Sequence, residues 1–377
     1  MRVVFLGLSI TSSWGNGHAT NYRALAQELF VRGHEVVFCE RDVPWYAAHR
    51  DLPAPPYAEL CLYQDLADLR ERARPSVRDA DLVVVGSYVP DGVAVGDWAL
   101  RTAGGATAFY DIDTPVTLEK LARGDHEYLA PGLIPRFDLY LSFTGGPALR
   151  TLRRRFGARR PLAFFCLVDP EAYRPVAVPR RWDLGYLGTY SADRQPALEA
   201  LLLEVARDTP AGRFAVAGPQ YPADVRWPGN VERIEHLAPP RHRRFYGAQR
   251  FTLSVTRAQM RRLGWSPSVR LFEAAACATP AISDRWPGLE EIFEPGTEIL
   301  IADTTSDIRR MLEEIGEEQR VAIAQAARRR VLAEHTAAHR VDLLEREVET
   351  AGARGGAWPA AGPVVDRWPP AQETDAA

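Results

Sequence analysis

The residues of this chain best suited to chemistry are a histidine and a pair of aspartates. His18 lies in the segment SSWGNGHAT, soon after the apolar run RVVFLGL. A neutral imidazole titrates near pH of about 6.5 and can take a proton from a substrate hydroxyl. Asp111 and Asp113, in the segment YDIDTP, could orient that base. We take His18, Asp111 and Asp113 as candidate catalytic residues. The alternative is that His18 only caps a helix or bonds a backbone carbonyl.

The two aspartates are not equivalent. We expect at most one of Asp111 and Asp113 to face a cleft deeply, and Pro115 favours a turn of the chain at this point. A DxD pair can also hold a metal ion against a diphosphate, but this pair lies far in sequence from the second candidate segment described below, so no metal is expected here.

The residues before His18 form a loop that is expected to touch a ligand. Two glycines permit positive φ angles and a close backbone approach, and a helix starting near Ala19 would point its first amides toward the same place. The single GxG lacks the third glycine of a dinucleotide fingerprint. The candidate loop residues are Trp14, Gly15, Asn16 and Gly17.

A second candidate segment is GWSPSVRLFEAAACATPAISD, residues 264–284. Ser266 and Pro267 are predicted to cap and begin a helix whose other positions are mostly apolar or small. Glu273 is the exception. A carboxylate in a largely buried helix either lies on a solvent stripe or faces a polar ligand.

The elements that must position these residues alternate between strand and helix. The strand-like runs of the first half are VVFLGL, HEVVFCE, DLVVVGS, ATAFYDI and DLYLSF; those of the second half are LGYLG, RFAVAG, VERIE, FTLSVT, PAIS and EILIA. Such alternation predicts βαβ units and buried parallel sheets, which bind ligands at the carboxyl ends of their strands. The prediction is an α/β protein with two Rossmann-like domains facing across a cleft.

The proline-rich segment LVDPEAYRPVAVPRRWD separates the two halves. We predict a first domain over residues 1–170, a linker over 171–182, a second domain over 183–350 and a flexible tail over 351–377, which is rich in Ala, Gly and Pro. The stretch ARRRVLAEHTAAHRVDLLEREVE is predicted to be one amphipathic helix that packs back across both domains.

Composition excludes several classes of protein. The net charge of −3 provides no overall basic field, and the arginine-rich runs suit solvated helix faces, so no nucleic-acid partner is expected. The four cysteines show no disulfide or zinc spacing, and the i, i+4 pair His335 and His339 lacks a third metal ligand. No apolar run approaches about 18 residues, so we expect no transmembrane segment and a cytoplasmic location.

The segments SPSVRLFEAAACATPAISD, GLEEIFEPGTEILIA and EHTAAHR together resemble GT-B glycosyltransferases, more narrowly the CgeB-like group. The resemblance spans most of residues 1–345 and is strongest over 250–303. It implies that Glu273 accepts hydrogen bonds from the ribose of a nucleotide-sugar donor. It also implies that the start of the helix that carries Glu273 meets the diphosphate; the residues there are Ser266, Ser268 and Val269.

The chain departs from that family at two places. Many members carry an Arg and then a Lys in the loop that corresponds to LGTYSADRQ, where this chain has Thr189 and Arg194. Arg194 would then be one diphosphate cation, or else a surface charge at a helix start, and Arg257 or Arg270 would supply another. Many retaining members carry a second glutamate where this chain has Trp265.

The resemblance implies a glycosyltransferase that uses a nucleotide-diphosphate sugar as co-substrate and a small-molecule or glycan acceptor. A UDP-sugar is the first choice of donor, with dTDP- and GDP-sugars as alternatives, and neither a bound cofactor nor a metal is expected. A base at His18 suits inversion, whereas a histidine that only bonds a sugar hydroxyl leaves a retaining route open. The competing functions are a nucleotide-sugar epimerase or hydrolase, or a degenerate sugar-nucleotide binding protein.

Overall fold

The computed structural model describes residues 1–353 and contains two parallel β-sheets. The first sheet has the order β3-β2-β1-β4-β5-β6-β7. Its strands are β1 Arg2–Gly7, β2 Glu35–Arg41, β3 Glu59–Tyr63, β4 Leu82–Gly86, β5 Ala106–Asp111, β6 Leu139–Ser142 and β7 Pro161–Ala163. Its helices are α1 His18–Val31, α2 Pro44–Ala47, α3 Leu66–Arg78, α4 Gly92–Thr102, α5 Thr114–Ala122 and α6 Pro147–Phe156.

The second sheet has the order β10-β9-β8-β11-β12-β13. Its strands are β8 Trp182–Leu187, β9 Phe214–Ala217, β10 Val231–Ile234, β11 Gln249–Ser254, β12 Ala281–Ser283 and β13 Leu300–Ile301. Its helices are α7 Gln195–Leu198, α8 Glu204–Asp208, α9 Pro239–Gly247, α10 Ala258–Leu263, α11 Val269–Ala276, α12 Thr305–Glu314 and α13 Glu317–Glu334, and the chain then forms α14 Ala337–Ala353. The parts built on the two sheets are called the first and second domains below.

Both faces of the first sheet are buried, which explains why its strands read as continuous apolar runs. Along β1, Val3 and Phe5 pack into one core while Val4 and Leu6 pack into another. This alternation follows from the two-residue period of a strand, and burial on both faces is usual for parallel sheets. The prediction of two α/β units is confirmed. Sequence reasoning missed β3 and β7, because β3 follows a proline-rich stretch and β7 has only three residues beginning with proline.

The last helical segment differs from the single helix predicted for it. The helix is interrupted at His335 and Thr336, between α13 and α14, because their backbone pairs with that of Val168. Val168 N donates to His335 O at 3.0 Å, and Ala337 N donates to Val168 O at 3.2 Å. α14 then packs on α1 in the first domain, where Arg32 pairs with Asp342 at 2.6 Å.

The two histidines of this break have structural partners. His335 Nδ1 lies 3.0 Å from Arg340 Nη2, and the Thr336 hydroxyl lies 2.7 Å from His339 Nδ1. Burial, helped by the charge of Arg340, lowers the pKa of His335 to about 3, so its ring is neutral at physiological pH. The residues from 1 to 353 contain no group of three or more His, Cys, Asp or Glu side chains placed to hold a metal ion.

The predicted tail begins inside α14, since that helix continues to Ala353. The rest of the predicted tail, residues 354–377, lies outside the described residues. Among the described helices, none combines the length and apolar character needed to cross a membrane.

Arg340 holds the junction between the domains together. Its side chain is buried and donates to Phe165 O at 3.0 Å, Cys166 O at 3.3 Å and Glu334 O at 3.1 Å. These carbonyls belong to the segment entering the second domain and to the end of α13. The guanidinium of Arg340 therefore bonds the segment that leaves the first domain and also the end of α13, from which the chain returns to that domain.

Replacing Arg340 with alanine is expected to lower the free energy of unfolding by about 2–4 kcal/mol, because buried carbonyls lose their donors. Chemical denaturation monitored by circular dichroism measures this. Arg346→Ala, at an exposed position of the same helix, is the matched control and should change the stability by less than about 0.5 kcal/mol. Equal effects from the two substitutions would contradict the role given to Arg340.

Candidate functional site

A cleft of about 730 Å³ separates the two domains at the carboxyl ends of their strands. Loops that follow β1, β4, β5 and β6 form one wall, and loops that follow β8 to β11 form the other. The first wall includes Gly15, Asn16, Gly17, His18, Tyr88, Asp113 and Thr144; the second includes Thr189, Arg194, His236, His242, Arg257, Ser266, Ser268, Val269, Arg270 and Glu273. Parallel sheets bind ligands at this end, so the cleft is the candidate site.

The loop that carries His18 is anchored by a buried carboxylate that sequence reasoning missed. Glu40, at the carboxyl end of β2, accepts hydrogen bonds from Ser9 Oγ at 2.9 Å, Ile10 N at 2.8 Å, and Thr11 N and Oγ1 at 3.0 and 2.6 Å. The only sequence signal was an acidic residue ending an apolar strand. These bonds hold the start of the loop against the sheet, which fixes the position from which α1 begins.

Among the loop residues, Asn16 holds the loop in shape by hydrogen bonds, and the two glycines line the cleft. Asn16 Nδ2 donates to Ser12 O at 3.2 Å, and its Oδ1 accepts from His18 N at 3.1 Å. Gly15 has a φ of 61° and so uses the freedom that a glycine allows, whereas Gly17 has a φ of −65°, which any residue can adopt. No atom lies within 4 Å of where a Gly17 Cβ would be, which leaves that part of the cleft open.

Trp14 packs against rings of both domains. Its ring centroid lies 4.6 Å from that of His49 and 4.6 Å from that of His236. His49 belongs to the first domain and His236 follows β10 of the second. Trp14 therefore bridges the two walls and is not among the residues that line the cleft.

His18 and Asp113 lie together on the first wall. His18 Nε2 is 3.8 Å from Asp113 Oδ2, and the same oxygen accepts a hydrogen bond from Tyr88 OH at 3.1 Å. Arg257 reaches across from the second domain, with Nη1 3.6 Å from that oxygen. Burial alone would raise the pKa of Asp113, but the facing His18 and the charge of Arg257 hold it below its usual range. Asp113 is therefore ionised at neutral pH.

Asp111 lies in the interior and does not line the cleft. Its carboxylate accepts hydrogen bonds from Thr117 Oγ1 at 2.6 Å and Tyr140 OH at 2.5 Å. Burial raises the pKa of Asp111 to about 6 despite these bonds. Of the two aspartates, the structure brings only Asp113 to His18, and Asp111 supports the loop from beneath.

Glu273 faces the cleft from α11, although it is only 3% exposed. Its Oε2 accepts a hydrogen bond from Tyr246 OH at 3.0 Å, and His242 Nδ1 lies 3.8 Å away. His242 Nε2 lies 3.0 Å from the carbonyl of Leu237, which can only accept, so Nε2 carries the hydrogen of the neutral ring. Tyr246 and His242 were missed because α9 gave only a pattern of basic surface residues.

Three arginines gather near the start of α11. Arg270 donates to Leu187 O at 2.9 Å, to Ser268 Oγ at 3.0 Å and to Tyr186 OH at 3.2 Å. Arg194 donates to Thr189 O at 2.6 Å, while its Nε is buried without a hydrogen-bond partner among the described residues.

This group carries an excess of positive charge. Burial, together with the charges of Arg270 and Arg257, lowers the pKa of Arg194. Within residues 1–353, no carboxylate forms an ion pair with Arg194 or Arg270. Close packing depends on a glycine here, because a Cβ at Gly188 would lie 2.4 Å from Arg270 Nη1.

The start of α11 differs from its prediction. Ser268, and not Ser266, is the N-cap residue, because Ser266 Oγ is used elsewhere: it bonds Thr144 Oγ1 of the first domain at 2.7 Å and Gly264 O at 2.9 Å. Trp265 does not line the cleft. It has a φ of 48° and packs so closely on Gly146 and Gly288 that a Cβ at either would lie 2.4 Å from its ring.

The comparisons with known proteins agree with this geometry. Residues 194–346, which include Arg194, Arg257, Arg270 and Glu273, match a family described as glycosyl transferase-like. No curated protein matches the chain in sequence.

Solved structures match the whole two-domain arrangement. Sucrose-phosphate synthase from Thermosynechococcus elongatus is 14% identical with a TM-score of 0.68, and the match covers 93% of this chain and 99% of that one. Anabaena HepE in complex with UDP and glucose is 13% identical with a TM-score of 0.69, covering 93% and 100%. An alpha-glucosyltransferase in complex with UDP and a 13-mer DNA is 12% identical with a TM-score of 0.66, covering 92% and 98%. The chain has the GT-B fold.

The raised pKa of Asp111 makes a testable prediction about stability. A carboxyl whose pKa is higher in the folded state than its ordinary 3.8 stabilises the fold while protonated, and this stabilisation is lost as the pH rises through about 6. In Asp111→Asn, which cannot ionise, the loss of stability between pH 4 and pH 7 should therefore be smaller than in the wild type by roughly 2 kcal/mol. Denaturant titrations at the two pH values measure the difference. The same pH dependence in both proteins would refute the assignment.

Proposed function

We propose that this protein is a glycosyltransferase of the CgeB-like group that transfers a sugar from a nucleotide-diphosphate donor, a UDP-sugar, to a hydroxyl of a small-molecule or glycan acceptor. The observation that carries the proposal is the cluster of Arg194, Arg257 and Arg270, whose charge lacks sufficient carboxylate partners, facing His18 and Asp113 across one cleft. A cationic wall opposite a base suits the departure of an anion and the activation of a hydroxyl.

The second domain would hold the donor. The first amides of α11 and the arginine cluster would bind the diphosphate, since a helix start and guanidinium groups both favour phosphate oxygens. Glu273 would accept hydrogen bonds from the ribose hydroxyls, with Tyr246 holding one of its oxygens in place. UDP in complexes of the similar structures favours uridine as the nucleoside.

The first domain would hold the acceptor. The acceptor oxygen forms a bond to the anomeric carbon of the sugar while its proton passes to His18, and the bond from that carbon to the diphosphate breaks. The diphosphate leaves with the electron pair of that bond, and the arginines stabilise its charge. Asp113, 3.8 Å from His18 Nε2, stabilises the imidazolium that forms. No step of this scheme requires a metal ion, and a nucleic-acid acceptor is not expected.

The donor assignment is tested by binding of nucleoside diphosphates. UDP should raise the melting temperature more than GDP, dTDP, CDP or ADP, because a ligand that binds only the folded state stabilises it. Glu273→Ala should weaken UDP binding by about 10- to 100-fold, since hydrogen bonds to a charged group are worth about 1.5–3 kcal/mol. Glu290→Ala, at an exposed carboxylate of the same domain, is the control. Unchanged affinity in Glu273→Ala would remove Glu273 from the donor site.

The catalytic assignment separates binding from turnover. His18→Ala should leave the dissociation constant for UDP nearly unchanged and reduce transfer by about 10²–10⁴-fold, the usual contribution of a general base. The measurement is release of UDP from UDP-sugar in the presence of a hydroxyl acceptor found by screening. A rate near that of the wild type would remove His18 from the role of base, and UDP release independent of any acceptor would favour a hydrolase.

A further inference from the structure

Arg257 is the charged side chain that connects the two walls of the cleft. It lies in the second domain, directly before α10, and its Nη1 atom is 3.6 Å from Asp113 Oδ2 in the first domain. Its Nε atom is buried without a hydrogen-bond partner in the described part of the chain. The contact with Asp113 thus leaves part of the hydrogen-bonding capacity of this guanidinium unused.

A single oxygen of Asp113 has three competing neighbours. Tyr88 OH donates to Oδ2 at 3.1 Å, Arg257 Nη1 lies at 3.6 Å, and His18 Nε2 lies at 3.8 Å. The Tyr88 contact is built into the loop, since Tyr88 holds a φ of 64° that a non-glycine residue adopts only at a cost. Tyr88 and His18 belong to the same domain as Asp113, whereas Arg257 belongs to the other domain. Arg257 is therefore the neighbour of Asp113 that could change its partner.

In its own domain, Arg257 acts electrostatically on the carboxylate of Asp193 and on a second arginine. Its charge, with that of Arg270, acts on the buried Arg194. A diphosphate bound among these arginines would carry more negative charge than one carboxylate and would offer charge-assisted hydrogen bonds to a guanidinium fork. Arg257 would then have a stronger partner on its own wall than on the opposite one.

Resting on the proposed function, we infer that Arg257 exchanges partners when the donor binds: its guanidinium moves from Asp113 to the diphosphate. The carboxylate of Asp113 then interacts with His18 without competition from Arg257. The acceptor-activating pair therefore becomes complete only after the donor is in place, and departure of the nucleoside diphosphate returns Arg257 to Asp113. Arg257 acts in this exchange as a positioning residue that orders the two substrates.

A double-mutant cycle on UDP binding tests the exchange. Titration calorimetry would give the dissociation constant of UDP for the wild type, Asp113→Asn, Arg257→Gln and the double variant at one ionic strength. Asp113→Asn should tighten UDP binding by roughly 3- to 30-fold, because the substitution removes the charge that competes with the diphosphate for Arg257. Arg257→Gln should weaken binding, and adding Asp113→Asn to it should then change the affinity by less than about 2-fold.

The control uses a second arginine of the same segment. Arg261, on α10, pairs with Asp284 at 3.9 Å and not with Asp113. In an Arg261→Gln background, Asp113→Asn should tighten UDP binding as much as in the wild type. Thermal unfolding confirms that each variant folds, and Asp113→Ser replaces Asp113→Asn if the latter does not.

The possible failures are distinct. Equal tightening by Asp113→Asn with and without Arg257 would mean simple repulsion between Asp113 and the diphosphate, and would overturn the exchange alone. No tightening in the wild-type background would overturn it as well. If no nucleoside diphosphate binds the wild type, the proposed function fails and the exchange fails with it.

Discussion

The structure depends on one junction where the chain passes between its two domains in both directions. The outgoing segment at Val168 and the returning segment at Thr336 pair through their backbones, and the buried Arg340 bonds carbonyls of both. The two domains are thus joined at this junction by backbone and side-chain hydrogen bonds, in addition to contacts such as the bond between Thr144 and Ser266. The cleft lies between the same two domains.

The chemistry of the cleft follows from how each domain treats buried charge. In the first domain, Glu40 accepts hydrogen bonds from the loop after β1, and Asp111 accepts hydrogen bonds in the interior. Asp113 faces the cleft beside His18. The second domain holds half-buried guanidinium groups that bond carbonyls and hydroxyls in place of carboxylates. Since charge removed from water is costly without compensation, in the proposed function the second wall would receive the anionic diphosphate and the first wall the acceptor hydroxyl.

Much of the fold could be predicted from the sequence because both sheets are buried on both faces, so that their strands consist of continuous apolar runs. The rule that parallel sheets bind ligands at their carboxyl ends selected the segments containing His18 and Asp113, and it favoured Arg257, which follows a strand. Glu273 was selected for another reason, as a carboxylate in an otherwise apolar helix. Features that depend on distant partners were not accessible. The break after His335 requires Val168, and the ring contact of Trp14 requires His236.

Local patterns also failed where a tertiary contact used the same side chain. Ser266 has the residue type of a helix cap, but its hydroxyl bonds Thr144 of the other domain, and the N-cap is Ser268, two residues later. Asp111 and Asp113 look alike in sequence, and only Tyr140 and Thr117, which lie on later elements, decide that Asp111 turns inward.

The return of α14 to the first domain has a consequence for how the protein is made. The surface that α14 covers on and just after α1, which includes Arg32 and His34, is complete only when α14 has been synthesised. A ribosome finishes the first sheet long before it reaches that helix, and the second sheet emerges in between. The nascent first domain therefore buries this face only after α14 has been made, and a chain truncated before α14 leaves the face open to association with other molecules.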